Sequence, residues 1–300
     1  MQKMIEAIRN PKRVALFLLR KFSGCFSDEL YLKILFRLKM GYPLNLQSPR
    51  TFNEKLQWLK LYNRKPEYTQ MVDKYAVKEY VAKLIGEEYI IPTLGVWDRV
   101  EDIDFESLPN QFVLKTTHGG GGGGVVICKD KATFNREEAR KRLQQSLDSD
   151  IYHNFREWPY KNVPHRIIAE KHLNPDGEFL CDYKWYCFDG EPKCLVIASG
   201  RFVEPQTCFD YFDMDFNHLP IEQGGPNYRG YIARPTSFDE MKQIVALLSQ
   251  GLPHARIDLF EVKNQIYFGE ITFFDSSGLA KFYPNEWDYI FGSWIKLPKS

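Results

Sequence analysis

ARIDLFEVKNQIYFGEITFF, residues 255–274, is typical of two antiparallel strands joined by a tight turn centred on Asn264. Side chains along a strand alternate between two faces. One face of the hairpin is therefore predicted to collect Arg256, Asp258, Phe260 and Val262 from the first strand, and Ile266, Phe268, Glu270 and Thr272 from the second. Asp258 and Glu270 are equally far from the turn centre, so antiparallel pairing places them opposite each other.

Two carboxylates that face each other, roughly 5 Å apart at the β-carbons, destabilise a hairpin unless a cation lies between them. Mg²⁺ suits this position, since it keeps several waters and takes one or two protein carboxylates together with substrate phosphates. Arg256 points the same way and can meet a phosphate oxygen. The alternative is an acidic hairpin that faces solvent. The predicted location of Phe260 and Phe268 on the acidic face favours the metal site.

A second unusual stretch, QFVLKTTHGGGGGGVVIC at residues 111–128, places Lys115 on a predicted strand that leads into six consecutive glycines. Glycine loses more backbone entropy on ordering than other residues, so such a run is typical of a main chain that approaches a ligand closely or moves. A P-loop needs Lys-Ser or Lys-Thr and then a helix, whereas Val-Val-Ile at 125–127 predicts a strand. The stretch indicates either a hairpin whose glycine loop closes over an anion or an ordinary mobile hairpin tip.

The composition is that of a globular protein with one large or two or three small domains, since 44% of its 300 residues are hydrophobic and 26% charged. The net charge of +1 argues against a general nucleic-acid-binding protein. Six cysteines without a C-x-x-C spacing predict reduced thiols, a cytoplasmic protein and no zinc site. The apolar run at 14–19 is far shorter than the roughly 20 residues that span a bilayer. Residues 8–22 are predicted to form either an amphipathic packing helix or a peripheral contact with the inner face of the cytoplasmic membrane.

The remaining patterns predict a mixed α+β chain. Residues 1–65 are predicted to be helical, with a capping box at 51–54, and one further helix is predicted to carry Lys74 and Lys78 on a shared face. Short strands follow at 89–91, 112–114, 125–128, 166–173, 178–188 and 194–198. Residues 199–235 read as loop, and a second capping box at 237–240 is predicted to open a late helix.

The order of these motifs resembles the ATP-grasp superfamily of carboxylate–amine ligases. The order runs Asp73-Lys74, Lys115 with the glycine loop, Glu170-Lys171-His172-Leu173, Glu178, Arg256-Ile257-Asp258 and Gly269-Glu270. The segments TFNEKLQWLKLY, DKYAVKEYV, FVLKTTHG, DYKWYCFDG and RIDLFEVKNQIYFGEITFFDSSG resemble its TupA-like branch, which is found with bacterial capsular and cell-wall polysaccharide biosynthesis. The likeness extends over about residues 27–283.

The resemblance implies an ATP-grasp fold, in which two α/β subdomains grip ATP, preceded by a helical N-terminal extension. It implies an extension at residues 1–65 and an N-terminal or linker part at 66–110. A lid subdomain with the glycine loop would follow at 111–173, and a C-terminal subdomain with the metal-binding hairpin at 174–300.

The resemblance also implies a role for each matching residue. The nucleotide phosphates would be bound by Lys74 and Lys115, under a lid formed by His118, Gly119, Gly120, Gly121, Gly122, Gly123 and Gly124. Adenine would be read by the main chain of the hinge strand Glu170, Lys171, His172 and Leu173, and the ribose hydroxyls would be bound by Glu178. Mg²⁺ would be held by Asp258 and Glu270, with Thr272 at the position where the family usually has asparagine. The acyl phosphate would be stabilised by Arg256, and the γ-phosphate would meet either Lys184 or Arg201.

The function implied by the resemblance is an ATP- and Mg²⁺-dependent ligase that works through an acyl phosphate. Its partners would be a small-molecule amine, such as an amino acid, and a carboxylated sugar of a capsular or cell-wall polysaccharide or its precursor. Two alternatives remain at this point. One is an ATP-grasp phosphotransferase acting on a glycan, and the other is a non-catalytic glycan-binding assembly protein.

Overall fold

The structure, a computed structural model, describes residues 11–120, 123–173, 181–199 and 207–298. The described α-helices are α1 (Pro11–Lys21), α2 (Asp28–Met40), α3 (Phe52–Tyr62), α4 (Glu67–Val72), α5 (Ala76–Ile85), α6 (Arg136–Leu147), α7 (Ile151–Phe155), α8 (Phe238–Leu248) and α9 (Glu286–Trp294). The strands are β1 (Thr93–Trp97), β2 (Phe112–Thr116), β3 (Val125–Cys128), β4 (Ile167–Lys171), β5 (Asp182–Phe188), β6 (Glu191–Ser199), β7 (Cys208–Phe212), β8 (His218–Leu219), β9 (Ala255–Val262) and β10 (Gln265–Thr272). The predicted α+β class is confirmed.

The described part of the N-terminal region is helical, as predicted. The capping box that opens α3 is confirmed, because the Thr51 hydroxyl accepts the Glu54 amide at 3.1 Å and the Glu54 carboxylate accepts the Thr51 amide at 3.1 Å. Helix α2 ends at Gly41, whose φ of +90° is the left-handed conformation that glycine adopts without strain. Local sequence therefore sets these helix ends.

The prediction that one helix contains both Lys74 and Lys78 is wrong. The chain forms α4 and α5, separated by residues 73–75, and only Lys78 is helical. Asp73 is extended (φ −72°, ψ 112°), and its carboxylate accepts the amides of Tyr75 and Ala76 at 2.9 and 3.2 Å. Aspartate favours such backbone bonds over a helix interior. The break places Lys74 in a turn, where its side chain is free of the α5 face.

The smaller sheet has the strand order β1-β4-β2-β3 and is antiparallel throughout. Strands β2 and β3 pair from Phe112 opposite Cys128 to Lys115 opposite Val125, so the predicted strand–loop–strand arrangement around the glycines is confirmed. The core under this sheet is formed with α6 and includes Phe112, Leu114, Val126 and Leu143. The division of the chain into four parts stays a prediction. Strand β1, which falls in the predicted part 66–110, pairs in this sheet with strands of the predicted part 111–173.

The strand predicted at residues 89–91 is wrong. Residues 87–89 form a 3₁₀ turn, and β1 begins at Thr93, after Pro92. Ile90 makes an isolated bridge to Phe268, and Ile91 is buried. The apolar residues of this run are there because the segment contacts the larger sheet. A short buried segment and a strand have the same composition, so the sequence pattern did not distinguish them.

The larger sheet has the order β10-β9-β5-β6-β7-β8. Its core side packs against α8, and the core between them includes Trp185 and Ile257 of the sheet and Met241 and Val245 of the helix. Strands β5 and β6 form a hairpin, with Asp189 and Gly190 at φ +51° and +82° in its two-residue turn. The loop predicted over residues 199–235 is wrong in part, since β7 and β8 extend the sheet within it.

The capping box predicted at residues 237–240 is wrong, although α8 begins where expected. The Ser237 side chain makes no capping bond to α8. Its hydroxyl donates to Glu261 Oε1 at 2.8 Å, so a partner distant in sequence replaces the local one.

The register of the β9–β10 hairpin confirms that Asp258 lies opposite Glu270, but the reason differs from the predicted one. The turn is Lys263-Asn264, with φ of +52° and +63°, and on its own it would place Asp258 opposite Gly269. A β-bulge between Phe268 and Glu270 shifts the pairing by one residue. A Cβ at Gly269 would lie 2.9 Å from the Asp258 carbonyl oxygen, so the close approach requires glycine.

The bulge also corrects the predicted faces of β10. Ile266 and Phe268 are buried in the core of the larger sheet, whereas Glu270 and Thr272 lie on the opposite face. The prediction that Phe268 shares the acidic face is therefore wrong, because strict alternation fails at the inserted residue.

Candidate active site

The acidic face of the larger sheet carries a dense group of charges at the centre of β5, β9 and β10. Arg256 Nε lies 2.7 Å from Asp258 Oδ1, and Arg256 Nη2 lies 2.9 Å from Asp258 Oδ2 and 3.1 Å from Glu270 Oε1. Lys184 Nζ lies 2.6 Å from Asp258 Oδ2 and 2.6 Å from Asp182 Oδ2. The predicted repulsion between the two facing carboxylates is thus compensated by the chain's own cations.

The protonation states in this group follow from burial and from the neighbouring charges. Burial alone would raise the pKa of Glu270, but Lys74 and Arg256 hold it well below its usual range. Burial would lower the pKa of Lys184, but the carboxylates of Asp258, Asp182 and Glu270 together more than offset this, so that the pKa is raised. Glu270 and Lys184 therefore both carry charge at neutral pH.

Lys74 connects this group to the glycine loop. Its Nζ lies 2.9 Å from Glu270 Oε2 and donates to the Gly119 carbonyl at 2.7 Å, while its backbone amide donates to the Thr117 carbonyl at 3.0 Å. The contact exists because the helix break at residues 73–75 turns Lys74 away from α5. The loop after β2 and the acidic hairpin therefore meet through one lysine.

A second charged group lies on the smaller sheet around Glu170 of β4. Its buried carboxylate is paired with Lys78 Nζ at 2.7 Å and with Lys115 Nζ of β2. Burial would raise the pKa of Glu170, but Lys115 and Lys78 lower it. Lys78 also donates to the Ile91 carbonyl at 2.6 Å. Sequence reasoning did not single out Lys78 for the site, although it lies in the segment DKYAVKEYV.

The other residues of the predicted hinge lie at the end of β4. Lys171 is exposed, and its amide donates to the Pro92 carbonyl at 3.0 Å. His172 and Leu173 are half-buried and follow the strand. Burial lowers the pKa of His172.

His118, which directly precedes Gly119, is packed against the protein beside the glycine loop. Its ring is buried and stacks on His165 with ring centroids 3.6 Å apart, and its Nε2 contacts the Ser146 carbonyl oxygen at 3.1 Å. Burial and the adjacent His165 lower the pKa of His118 to about 4. The structure thus places a neutral His118 in the packing between the glycine loop and the end of α6.

The turn after β10, residues 275–278, adds an acid that sequence reasoning missed. Asp275 accepts a hydrogen bond from Arg256 Nη1. The next two residues, Ser276 and Ser277, have φ of +47° and +59°, a left-handed conformation that costs non-glycine residues about 1 kcal/mol or more each. Asp275 belongs to the segment FFDSSG, which carried the resemblance without an assigned role.

Helix α3 holds this strained turn in place. Lys60 Nζ donates to the Ser277 carbonyl and hydroxyl, each at 2.8 Å, and to the Phe155 carbonyl at 3.0 Å. Gln57 donates to the carbonyls of Ser277 and Gly278 at 3.0 and 2.8 Å. Burial lowers the pKa of Lys60 to about 8, with Glu157 opposing the shift. The N-terminal region is therefore joined to the site through Gln57 and Lys60, a polar strip at helical spacing on a buried face.

The donors around Asp258 and Glu270 suit a magnesium ion that also binds phosphate. The described residues contain no group of three or more His, Cys, Asp or Glu side chains arranged to hold a metal ion. Two carboxylates and the Thr272 hydroxyl, which lies 3.2 Å from Glu270 Oε1, fit a cation that takes one or two protein carboxylates and completes its shell with waters and phosphates. The Thr272 hydroxyl also accepts a hydrogen bond from Arg256 Nη2 at 3.2 Å.

Four of the residues predicted to line the site lie outside the described residues. They are Gly121, Gly122, Glu178 and Arg201. The described part of the chain has no helix long and apolar enough to cross a membrane.

Comparison with solved structures gives several similar chains at low identity. D-alanine–D-alanine ligase from Helicobacter pylori is 15% identical, with a TM-score of 0.42, over 83% of this chain and 70% of the other. The Bacillus anthracis enzyme of that name, complexed with ATP, is 14% identical, with a TM-score of 0.39, over 67% and 53%. The ATP-grasp ligase PsnB, complexed with minimal precursor, Mg and ADP, is 12% identical, with a TM-score of 0.40, over 73% and 57%. The chain thus spans little more than half the length of the last two.

Comparison with curated proteins finds no match. The family model described as TupA-like ATPgrasp matches residues 54–296, which include most of α3, both sheets and every charged residue of the groups around Glu170 and Asp258. That range is most of the chain, and the chain belongs to the TupA-like ATP-grasp family.

Proposed function

We propose that the chain is an ATP-dependent ligase that joins a carboxylate to an amine through an acyl phosphate. The observation that carries the proposal is the position of Lys74, which links the glycine loop to Glu270 among the cations Lys78, Lys115, Lys184 and Arg256. A transferring phosphoryl group needs positive charge around it and little water. The smaller sheet supplies Lys115, the larger sheet supplies Lys184 and Arg256, and α5 supplies Lys78.

The nucleotide would exchange partners with the carboxylates that now pair with these cations. Lys74 would leave Glu270 for a phosphate oxygen, and Lys115 would share its charge between Glu170 and the phosphates. Because Lys74 also holds the Gly119 carbonyl, this exchange would bring the lid formed by residues 119–124 over the phosphates. The hinge at Glu170–Leu173 would bind adenine, and Glu178 the ribose.

Asp258 and Glu270, with Thr272 beside them, would hold Mg²⁺. When bound there, the ion would supply positive charge to the phosphates of ATP. Arg256 would keep its bond to Asp275 and turn the rest of its guanidinium toward the transferred group. Of the two candidates for contact with the γ-phosphate, Lys184 lies within the described residues, beside Asp258.

In the first step a carboxylate oxygen of the acceptor attacks the γ-phosphorus, and the bond to the β-phosphate oxygen breaks, releasing ADP. In the second step an amine attacks the acyl carbon, inorganic phosphate leaves with the bridging oxygen, and the amine nitrogen loses a proton. Neither step requires a covalent bond to the protein. The chain's own residues bind and orient the substrates, and they exclude water from the site.

The substrates follow from the TupA-like motifs. We assign the carboxylate to a sugar of a capsular or cell-wall polysaccharide or its precursor, and the amine to an amino acid or another small amine. The need for ATP and the six free cysteines support a cytoplasmic site of action.

The test is ADP release from ATP and Mg²⁺ with a uronic-acid glycan, measured with and without a pool of amino acids. Release that requires the amine supports the ligase. Release without amine, together with a phosphorylated glycan, would instead support a phosphotransferase, and glycan binding without any release would support an assembly protein. Hydroxylamine added in place of the amine separates the first two outcomes, because it traps an acyl phosphate as a hydroxamate.

A further inference from the structure

Helix α1 presents one buried and one exposed side. Leu19 is buried and Leu16 half-buried, and both pack with Tyr31 and Leu35 of α2. This packing fixes the rotation of α1 on the protein, so the residues on its other side are held outward. Residues 8–10 of the predicted membrane contact lie outside the described residues.

The outward side combines large apolar side chains with positive charge. Phe17, Leu18 and Phe22 have exposed fractions of 62%, 45% and 50%. Lys21 is exposed beside them, and two further exposed cations lie at the edges of this side, Lys12 in the first turn in line with Leu16 and Leu19, and Arg20 near Phe155. Residues 11–22 contain no acid. The name α1 surface is used here for the three exposed apolar residues and the three cations. Clustered exposed apolar side chains on a soluble domain mark an interaction site.

The basic side chains are placed to bind anions while their stems cover apolar surface. The Arg20 guanidinium lies 5.4 Å from the centroid of the Phe155 ring, and Lys21 Nζ lies 5.9 Å from that of Phe22. Lysine and arginine at the edge of an apolar surface keep their charged ends in water at headgroup level. With 11 residues, α1 is about 16 Å long, too short to cross a bilayer but suited to lie in its plane.

We infer that the α1 surface binds an anionic lipid bilayer. The apolar side chains would enter the headgroup boundary, and the cations would meet anionic headgroups, a combination that amphipathic membrane-surface helices share. A protein partner with an acidic rim, or a second copy of the chain, would have to match a surface whose charges all have one sign. The inference does not depend on the ligase reaction.

The test is flotation of the full chain with extruded vesicles, one set of phosphatidylcholine alone and one with 30% phosphatidylglycerol. The wild type is expected to float with the anionic vesicles at low salt and to do so less at high salt, since screening weakens surface attraction. Lys12→Gln/Lys21→Gln should lower the partition coefficient about 30-fold, and Phe17→Ser/Phe22→Ser at least about tenfold. All changed side chains are exposed, so the variants should keep the wild-type circular dichroism and melting temperature.

The matched control is Lys83→Gln/Leu84→Ser, which removes one exposed cation and one exposed apolar side chain from α5. It should float like the wild type. Failure of the wild type to float, or equal flotation of the wild type and both α1 variants, would overturn the inference. Self-association that depends on Phe17 and Phe22, without flotation, would overturn it in favour of a second copy as occupant.

Discussion

Lys74 Nζ lies 2.9 Å from Glu270 Oε2 and 2.7 Å from the carbonyl oxygen of Gly119. One lysine thus joins the loop of the smaller sheet to an acid of the larger sheet. The position depends on the extended backbone of Asp73, which ends α4 and frees Lys74 from the next helix. An incoming phosphate can compete with Glu270 for this lysine, and the competition would couple nucleotide binding to the loop.

Lys74→Met should therefore weaken ATP binding at least about tenfold, the loss of roughly one charge-assisted hydrogen bond. The ATP affinity is measured by calorimetry with Mg²⁺ present. Lys83→Met is the control, because Lys83 is exposed and paired with Glu79 on the helix surface. Equal affinity in the wild type and Lys74→Met would show that the lysine does not meet the phosphates.

Asp258→Asn and Glu270→Gln should each reduce kcat by about three orders of magnitude or more, since each removes a negative charge from the proposed ion site without a large change in volume. Steady-state ADP release at saturating ATP gives kcat, and the dependence of the rate on Mg²⁺ concentration should shift upward in both variants. The matched control is Glu261→Gln, which lies on the core side of β9, the strand that also carries Asp258. Wild-type rates in either variant would remove the metal assignment.

Lys60→Met should destabilise the protein by about 3 kcal/mol, because it leaves the Ser277 carbonyl and the Glu157 carboxylate buried without their cation. Urea unfolding measures the loss. At a temperature where the variant stays folded, kcat should fall more than KM rises, since the turn that presents Asp275 to Arg256 loses its support. Arg64→Met is the comparison, a partly exposed cation on the adjoining turn. A stability loss with unchanged kcat would mean that the α3 contact is structural only.

Gly124→Ala should impair the glycine hairpin, whereas Gly123→Ala should not. A Cβ at Gly124 would clash with the Ser146 and Thr116 hydroxyls, which are hydrogen-bonded to each other at 2.7 Å, but a Cβ at Gly123 meets nothing within 4 Å. Overpacking of this kind costs about 1–3 kcal/mol. Thermal unfolding and the ADP release rate are the measurements. Similar behaviour of the two variants would contradict the packing described for the loop base.

The sequence predicted the facing pair Asp258 and Glu270 from a turn centred on Asn264, whereas the turn lies between Lys263 and Asn264. The β-bulge at Gly269 restored the pairing and moved Phe268 to the core. A bulge is set by contacts on both sides of a strand, which alternation along one strand does not contain. The capping box of α3 was predictable because both of its bonds are local, while Ser237 found its partner in Glu261, 24 residues away.

The charged residues of the site were largely predictable by type and order, but their partners were not. Lys115, Glu170, Lys184 and Arg256 stand in recognisable motifs, whereas the pairing of Lys78 with Glu170 and of Lys74 with Glu270 depends on how α5 meets the two sheets. Asp275 and Lys60 contribute through a strained turn and a buried helix face. Such contacts come from tertiary packing and leave little signal in local spacing.

The central claim is that a carboxylate is activated as an acyl phosphate before an amine displaces phosphate. The most direct measurement is transfer of ¹⁸O from a labelled carboxylate acceptor to inorganic phosphate, followed by mass spectrometry with and without the amine. We predict one ¹⁸O atom in each phosphate released in the amine-dependent reaction, because the bridging oxygen leaves with phosphate. Unlabelled phosphate, or label retained in a phosphorylated glycan regardless of amine, would contradict it.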